Sequence, residues 1–517
     1  MKHTPSVFLF VRQSIRIVSP LWLAAVLLAG IAPRVHAAGG DFDTSFSAAG
    51  NPAGIARFVA SGTESRGSAM LVTENGAVFI AGQCVSGANY DVCVSKRNFA
   101  GGADSAFGGG SGTMTIVGMG ISTASAMTRD AQGNLWVGGI CAGNSCVFKV
   151  SSSGGLFINV GSNGLVTVPD MRWVQAMAMT PEGKILVGGV CTQTGAGLPC
   201  LGRLLPNGTF DPAFNGGSVW VWSTLRGGEV RTLIQRSNGA VYVGATCDTG
   251  TSSAVNRMCY ADISAAGTVT STYMATVPNS TAATLGGMVL ASDGALVASG
   301  TCVMVTTGAF RGCMFRFKPG TGIDTTFGTS GYVNGVNLGQ TSTSVYDLMQ
   351  REDGSLIMVT QCMASTTPFQ RYGICLAAFD ANGVPSAQFG GQTTRLLDTE
   401  PQPVGGSSLA SWLGDSAALT GDGKLVTVGA CFAGVSSPQS CVARIQLENP
   451  QGTRCTADID GSNTVNATSD GVMLMRMLLG LSGNPAIFGA LSANASRLSW
   501  PAVRDYAGLH CRVPVAP

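Results

Sequence analysis

Residues 180–191 read Thr180-Pro181-Glu182-Gly183-Lys184-Ile185-Leu186-Val187-Gly188-Gly189-Val190-Cys191. A Glu-Gly turn followed by the aliphatic run Lys184 to Val190, with Ala176 to Thr180 in front of it, reads as a β-hairpin. A two-residue type I′ turn is the expected form, with positive φ at both central residues. Outward from the hairpin, Cys200 precedes a third apolar run, Leu201 to Leu205. Asp211-Pro212-Ala213-Phe214 then leads to a fourth, Ser218 to Trp222. The unit is four antiparallel strands, A to D.

The same unit recurs. Its A–B turn appears at Asn75-Gly76, Gln132-Gly133, Glu182-Gly183, Asn238-Gly239, Asp293-Gly294, Asp353-Gly354 and Asp422-Gly423. A cysteine follows each turn, at Cys84, Cys141, Cys191, Cys247, Cys302, Cys362 and Cys431, in steps of 57, 50, 56, 55, 60 and 69 residues. A second follows each first, at Cys93, Cys146, Cys200, Cys259, Cys313, Cys375 and Cys441. Four strands per repeat of this length fit a propeller blade. The last unit supplies A, B and C and ends near Leu447. Its missing D strand is at the other end of the chain, where Asp43-Thr44-Ser45-Phe46 precedes Gly54 to Ala60. The expected fold is all-β: a seven-bladed β-propeller closed by an N-terminal strand, plus a small α-helical C-terminal calcium-loop domain. The alternative is an open array or a pair of sandwiches, which would leave sheet edges uncovered.

Asp104-Ser105-Ala106-Phe107-Gly108, Asp211 to Phe214 and Asp324-Thr325-Thr326-Phe327-Gly328, with the hairpins at 182–187 and 422–426, resemble the delta-60 repeat of bacterial exported proteins. The resemblance covers nearly all of residues 42–447. It implies a propeller and brings no established reaction or catalytic residues. Units two and four depart from it: Phe157-Ile158-Asn159 and Ser271 to Met274 lack the Asp-x-x-Phe signature.

The 517-residue chain has 72 glycines, 11% charged residues and a formal net charge of +2, which points to neither nucleic acid nor an anionic membrane as partner. Lys2, Arg12 and Arg16, the apolar run Leu21 to Ala32 and Val35-His36-Ala37-Ala38 read as an export signal over residues 1–38; an uncleaved N-terminal anchor is the alternative. No later stretch is apolar for long enough to span a membrane. All 16 cysteines follow that segment, and an even count in an exported chain favours disulfides. Each repeat pair is expected to bridge the end of B and the start of C. No repeat pair is Cys-x-x-Cys, which weighs against a redox role. His3 and His36 fall in the signal, leaving His510 for any catalytic triad and excluding a multi-histidine zinc site.

Residues 455–511 change character after the propeller of 39–449. In Asp458-Ile459-Asp460-Gly461-Ser462-Asn463-Thr464-Val465-Asn466, oxygen ligands at alternate positions suit one calcium ion. The expected ligands are Asp458, Asp460 and Ser462, the Thr464 carbonyl, Asn466 directly or through water, and Asp470. The segment resembles one loop of a dockerin-type or EF-hand-like motif, with Asp470 at position 13 instead of 12 and Ser462 at position 5. An Asx-rich turn without metal is the alternative. Helices are expected over Val472 to Leu479 and Trp500 to His510. Trp500, Val503, Tyr506 and Leu509 would pack on Val472, Leu474 and Leu478, and Cys455 would pair with Cys511.

In a propeller the B–C and D–A loops share one face. Arg172, Trp173, Arg226, Glu229 and Trp412 are the candidate ligand-binding residues on it. The expected function is that of a secreted or cell-surface binding protein, monomeric, with a protein or glycan (polysaccharide) ligand and a non-catalytic propeller; a periplasmic site is a further possibility. The alternative is a glycan-active extracellular enzyme or polysaccharide-degradation accessory protein, for which Asp170, Glu229 and Glu400 are the loop carboxylates to consider. A purely structural or adhesive surface component is the third reading.

Overall fold

The computed structural model describes residues 39–511 apart from 48–50, 88, 118, 119, 121, 195, 249–254, 339–342, 366–370, 398–409, 412–415, 432–436, 448–457, 463, 494 and 496. The export signal, Glu400, Trp412 and Cys455 lie outside the described residues.

The protein is a seven-bladed β-propeller. Blade three shows the plan: Met171–Met179, Ile185–Thr194, Ala196–Leu204 and Trp220–Val221 pair antiparallel in that order. Six blades are built this way from consecutive strands, and blades five and six carry one further short strand each. Blade seven is built from both chain ends. Ser416–Leu419, Leu425–Cys431 and Gln439–Ile445 are completed by the N-terminal Ile55–Phe58, with Ile55 opposite Ala443 and Arg57 opposite Cys441. The expected closure is therefore present.

The A strands of successive blades touch one another all the way round, including blade seven to blade one, so A is the innermost strand. The apolar core is divided in the same way. Seven clusters each fill one blade–blade interface. One joins Phe79, Val92 and Phe107 to Leu135, Val137 and Phe148, and another joins Val78 and Ile80 to Val426, Val428 and Val442 across the closure. Gly82, Gly139, Gly189 and Gly300, two residues before the first cysteine of their blades, explain part of the glycine content. A Cβ at any of them would overlap the A-strand carbonyl of Arg66, Thr123, Trp173 or Thr284 respectively.

The A–B turns differ from expectation. Among the described residues the glycine has positive φ in all seven, at 73–84°, and the residue before it does not. Gly76 N donates to Thr73 O, and Thr73 N donates to Ala77 O at 2.8 Å. This is a three-residue loop, a type I turn closed by a left-handed glycine, and it recurs at Thr180–Lys184 and Thr420–Lys424. The Asn/Asp-Gly pair fits either turn, and only the closing bond distinguishes them.

The C-terminal helical region contains α1 (Val472–Leu478), α2 (Asn484–Ile487) and α3 (Trp500–Cys511). Its core joins Trp500, Val503 and Tyr506 to Ile459, Met473, Met477 and Ile487, with Val472 and Leu474 at its margin. Leu478 does not join it and is 61% exposed, because the buried stripe of α1 runs through Met473 and Met477, one turn apart. The side chains of Leu509 and Cys511 are outside the described residues, as is the expected Cys455–Cys511 pair.

Candidate functional site

Seven disulfides staple the seven blades: Cys84–Cys93, Cys141–Cys146, Cys191–Cys200, Cys247–Cys259, Cys302–Cys313, Cys362–Cys375 and Cys431–Cys441, with Cα separations of 5.7–6.2 Å. Each crosses diagonally between B and C. In blade three, for example, Cys191 is opposite Leu198 and Cys200 opposite Gly189. Strand register fixes the face they mark. The start of A pairs with the end of B, as in Met171 opposite Cys191 and Gly228 opposite Cys247, so D–A connections and stapled B–C ends lie together.

The candidate ligand-face residues and the candidate carboxylates differ in where they stand relative to this face. Asp170 and Arg226 are exposed at the ends of D–A connections; the Asp170 carbonyl accepts from Thr192 N, and Arg226 N donates to Asp248 O. Arg172 is exposed at a register shift in the A strand of blade three. Trp173 and Glu229 are not loop residues. Both lie on A strands, because those strands begin several residues earlier than the apolar pattern indicates. Trp173 Nε1 donates to Ser125 Oγ at 2.7 Å, and Gln175 Nε2 donates to Glu229 Oε2 at 2.8 Å. Arg231 pairs with the same Glu229 carboxylate. Asp170 is an exposed loop residue, and Glu229 is tied between blades three and four.

A feature of the inner wall was not legible in the sequence. Among the described residues the A–B register slips at the same point in six blades, so that Ser68, Ser125, Gln175, Arg231, Gly286 and Tyr346 each bulge from the A strand. Such bulges re-aim side chains. Here Ser125 Oγ reaches Val174 O in the next blade at 2.6 Å. Beside the bulge in blade six, Asp347 accepts from its neighbour Leu348 N and, at 3.1 Å, from Ala417 N in blade seven. Asp347 keeps some accessible surface but is surrounded by protein, and burial pushes its carboxyl up to about 7 despite the two N–H donors.

The Asp-x-x-Phe element is a structural lock. Asp211 Oδ1 accepts from Ala213 N, Phe214 N donates to Asp211 O, and Phe214 is buried. The other carboxylate oxygen takes Arg203 Nε at 2.7 Å, and Arg203 Nη1 donates to Ala265 O in blade four. Asp324 with Arg316 and Ala381, and Asp43 with Arg444 and Phe99, repeat the arrangement. Blade two keeps the turn with other side chains. Phe157 N bonds Lys149 O where an Asp stands elsewhere, Val160 replaces the buried Phe, and the Lys149 ammonium lies 5.1 Å from the Phe157 ring. Blade four omits the element: its turn at Ser264–Thr268 leads directly into strand Val269–Ala275.

The acidic loop ahead of α1 gathers its carboxylates. Asp458, Asp460 and Asp470 are close together, with ligand oxygens within 4.8 Å of one another. The extra residue before Asp470 is absorbed by a wide turn over Ala467–Gly471, where Gly471 N donates to Asn466 O five residues back. Asp470 Oδ1 accepts from Ile459 N and Asp460 N, and Oδ2 from Asn466 N. Burial opposes ionisation of Asp460, but hydrogen bonds from Ser492 and Ser462 outweigh it and lower its pKa. Ser462 Oγ is 3.4 Å from Asp458 Oδ1 and 3.1 Å from Thr464 O. Asn466 Oδ1 instead caps the next turn through Thr468 N, at 2.9 Å. Three buried carboxylates this close repel one another unless a cation or protons intervene, so the donor set fits a hard divalent ion.

Residues 180–214 match the family model of a domain of unknown function, the DUF5122 beta-propeller. No curated protein matches the chain. Among solved structures, polysaccharide lyase Uly1 is similar at 10% identity, covering 80% of this chain and 98% of that one, with a TM-score of 0.43. Chaetomium thermophilum Sqt1 bound to the N-terminus of ribosomal protein L10 is similar at 11% identity, 76% and 98% coverage and a TM-score of 0.41. Drosophila Semaphorin 2a is similar at 9% identity, 78% and 77% coverage and a TM-score of 0.43. At these identities and scores they bear on neither ligand nor reaction.

Proposed function

We propose that the chain is a binding protein that works at the cell surface or outside the cell, or in the periplasm, and presents its disulfide-stapled face to a glycan or protein ligand. The observation that carries this reading is the pairing of a stiff frame with exposed cationic side chains. Arg172 and Arg226 stand at the starts of adjacent A strands, beside the B-strand ends that carry Cys191 and Cys247. Rigid loops with arginines suit recognition of polar or anionic groups. Seven disulfides suit an oxidising compartment. Among the described residues no helix is long and apolar enough to cross a membrane.

The same reading divides the chain into an export segment (1–38), the propeller (39–449) and a calcium-binding helical module (455–511). Asp458, Asp460 and Asp470, with Ser462, would hold the ion, whose charge would offset their mutual repulsion.

Binding of the secreted protein to arrays of glycans and extracellular proteins tests the reading. The Arg172→Ala/Arg226→Ala double variant should lose at least about tenfold in affinity, the worth of one charged hydrogen bond. Unchanged binding by the double variant would overturn the assignment of the face. Release of shortened glycans would favour an enzyme.

A further inference from the structure

The seven A–B turns share a shape, and their second residues can be compared directly: Glu74, Ala131, Pro181, Ser237, Ser292, Glu352 and Gly421. Glycine stands there only in blade seven. Its φ is outside the left-handed region, so the turn itself does not require glycine. What requires it is Arg504 of α3. A Cβ on Gly421 would overlap the Arg504 guanidinium. Arg504 is 4% exposed, and its Nη1 donates to the carbonyl of Glu74, at the equivalent position in blade one. The cation thus sits in a notch between the turns of blades seven and one. Beside it lies an open cleft of about 290 Å³, lined by the A-strand ends Val72, Gln350 and Leu419 and by Arg351, Glu352 and Arg504.

We infer that the A–B rim of blades one and seven is a docking surface for the chain's own C-terminal helix, keyed by Arg504 in the Gly421 notch, and that docking locks the ring at its closing blade. Blade seven is the one assembled from both chain ends, so a clamp from its turn to blade one opposes loss of the N-terminal strand. Docking also covers part of the rim opposite the disulfides, leaving the stapled face as the open one.

Hydrogen exchange on the full-length protein tests it. Gly421→Leu fills the notch; Arg504→Ala removes the key from the other side, so the test survives if one variant fails to fold. Ala131→Leu makes the same substitution in the turn of blade two. Amides of 73–77, 420–424 and α3 should exchange about tenfold faster in the first two variants, as expected for loss of a charged hydrogen bond, and at the wild-type rate in Ala131→Leu. Strand Ile55–Phe58 should lose protection in parallel. Wild-type exchange at the rim in both variants would overturn the docking surface. Faster exchange at the rim with unchanged Ile55–Phe58 would overturn the lock and leave the docking surface.

Discussion

Arg444 Nε lies 2.6 Å from Asp43 Oδ2, although 401 residues separate them in the chain. Both are buried, and Arg444 also donates to Phe99 O in blade one and to Ser45 Oγ, with its guanidinium 4.7 Å from the Phe46 ring and 4.3 Å from the Phe99 ring. Arg203 and Asp211 make the same pair eight residues apart. The repeat motif thus closes the ring at blade seven, where its two halves come from opposite ends of the chain. Arg444→Ala leaves a buried carboxylate with fewer cations, and should cost about 3–5 kcal/mol in urea unfolding. It should also release the N-terminal strand to proteolysis, which Arg203→Ala, whose carboxylate partner is eight residues away in the same blade, should not.

Acid should act through the same pair. Burial alone would raise the Asp43 carboxyl, but Arg444, with Lys424 and Ser45, outweighs it and holds the group at about 2, below the ordinary 3.8. A carboxylate with a lowered folded pKa adds stability above about pH 4, and that stability is lost as pH falls toward 2. Asp324 has the same sign and a similar value. The melting temperature should fall across this window. Asp43→Asn should flatten the slope while lowering stability at pH 7.

Asp347 has the opposite sign. Its folded pKa of about 7 exceeds the ordinary 3.8, so its favourable contribution is complete below about pH 4 and is lost as pH rises through 7. Asp347→Asn keeps a carbonyl acceptor for Ala417 N and removes the charge. The variant should match the wild type near pH 4 and exceed it at pH 8 by roughly 1–2 kcal/mol, allowing for partial screening. Equal melting temperatures at pH 8 would count against a strained carboxylate there.

The ring was legible because its signals repeat. Seven turns, seven cysteine pairs and the N-terminal Asp43 to Phe46 element are all present in the sequence, and blade count and ring closure follow from them. What was hidden depends on neighbours in space. Glu182-Gly183 fits two turn types, and only the Thr180–Lys184 hydrogen bond selects one. Trp173 and Glu229 look like loop residues because a bulge breaks the alternation of their strands at Gln175 and Arg231. Phe157 and Val160 stand where the motif has Asp and Phe, although they reproduce its backbone. The calcium-type spacing was readable, but the turn that brings Asp470 back to Asp458 and Asp460 was not.

The staples should be separable from the fold they hold. Each closes a short loop, worth roughly 2–3 kcal/mol in the chain-entropy model. Non-reducing peptide mapping should recover the seven blade bridges, each joining cysteines 5–13 positions apart, alongside the expected Cys455–Cys511 pair. Reduction should lower the melting temperature while the native strand signal persists at 25 °C, because seven interblade cores remain. Bridges between blades would contradict the B–C register.

Calcium should act on the C-terminal region and leave the propeller core unchanged. Asp458, Asp460 and Asp470 bring three negative charges into one buried site, and Asp470 also ties the loop to α1 through Ile459 N and Asn466 N. Neutralising them by a bound ion should favour the folded loop in proportion to occupancy. Titration calorimetry should give one site per chain, and saturating calcium should slow protease cleavage within 458–511. Asp460→Ala should abolish both effects, because it removes a ligand oxygen and also the acceptor of Ser492 N, whereas Asn466→Ala should weaken binding less, because that side chain is turned to Thr468. Protection that is unchanged by chelator would identify the loop as an Asx-rich turn held by its own hydrogen bonds.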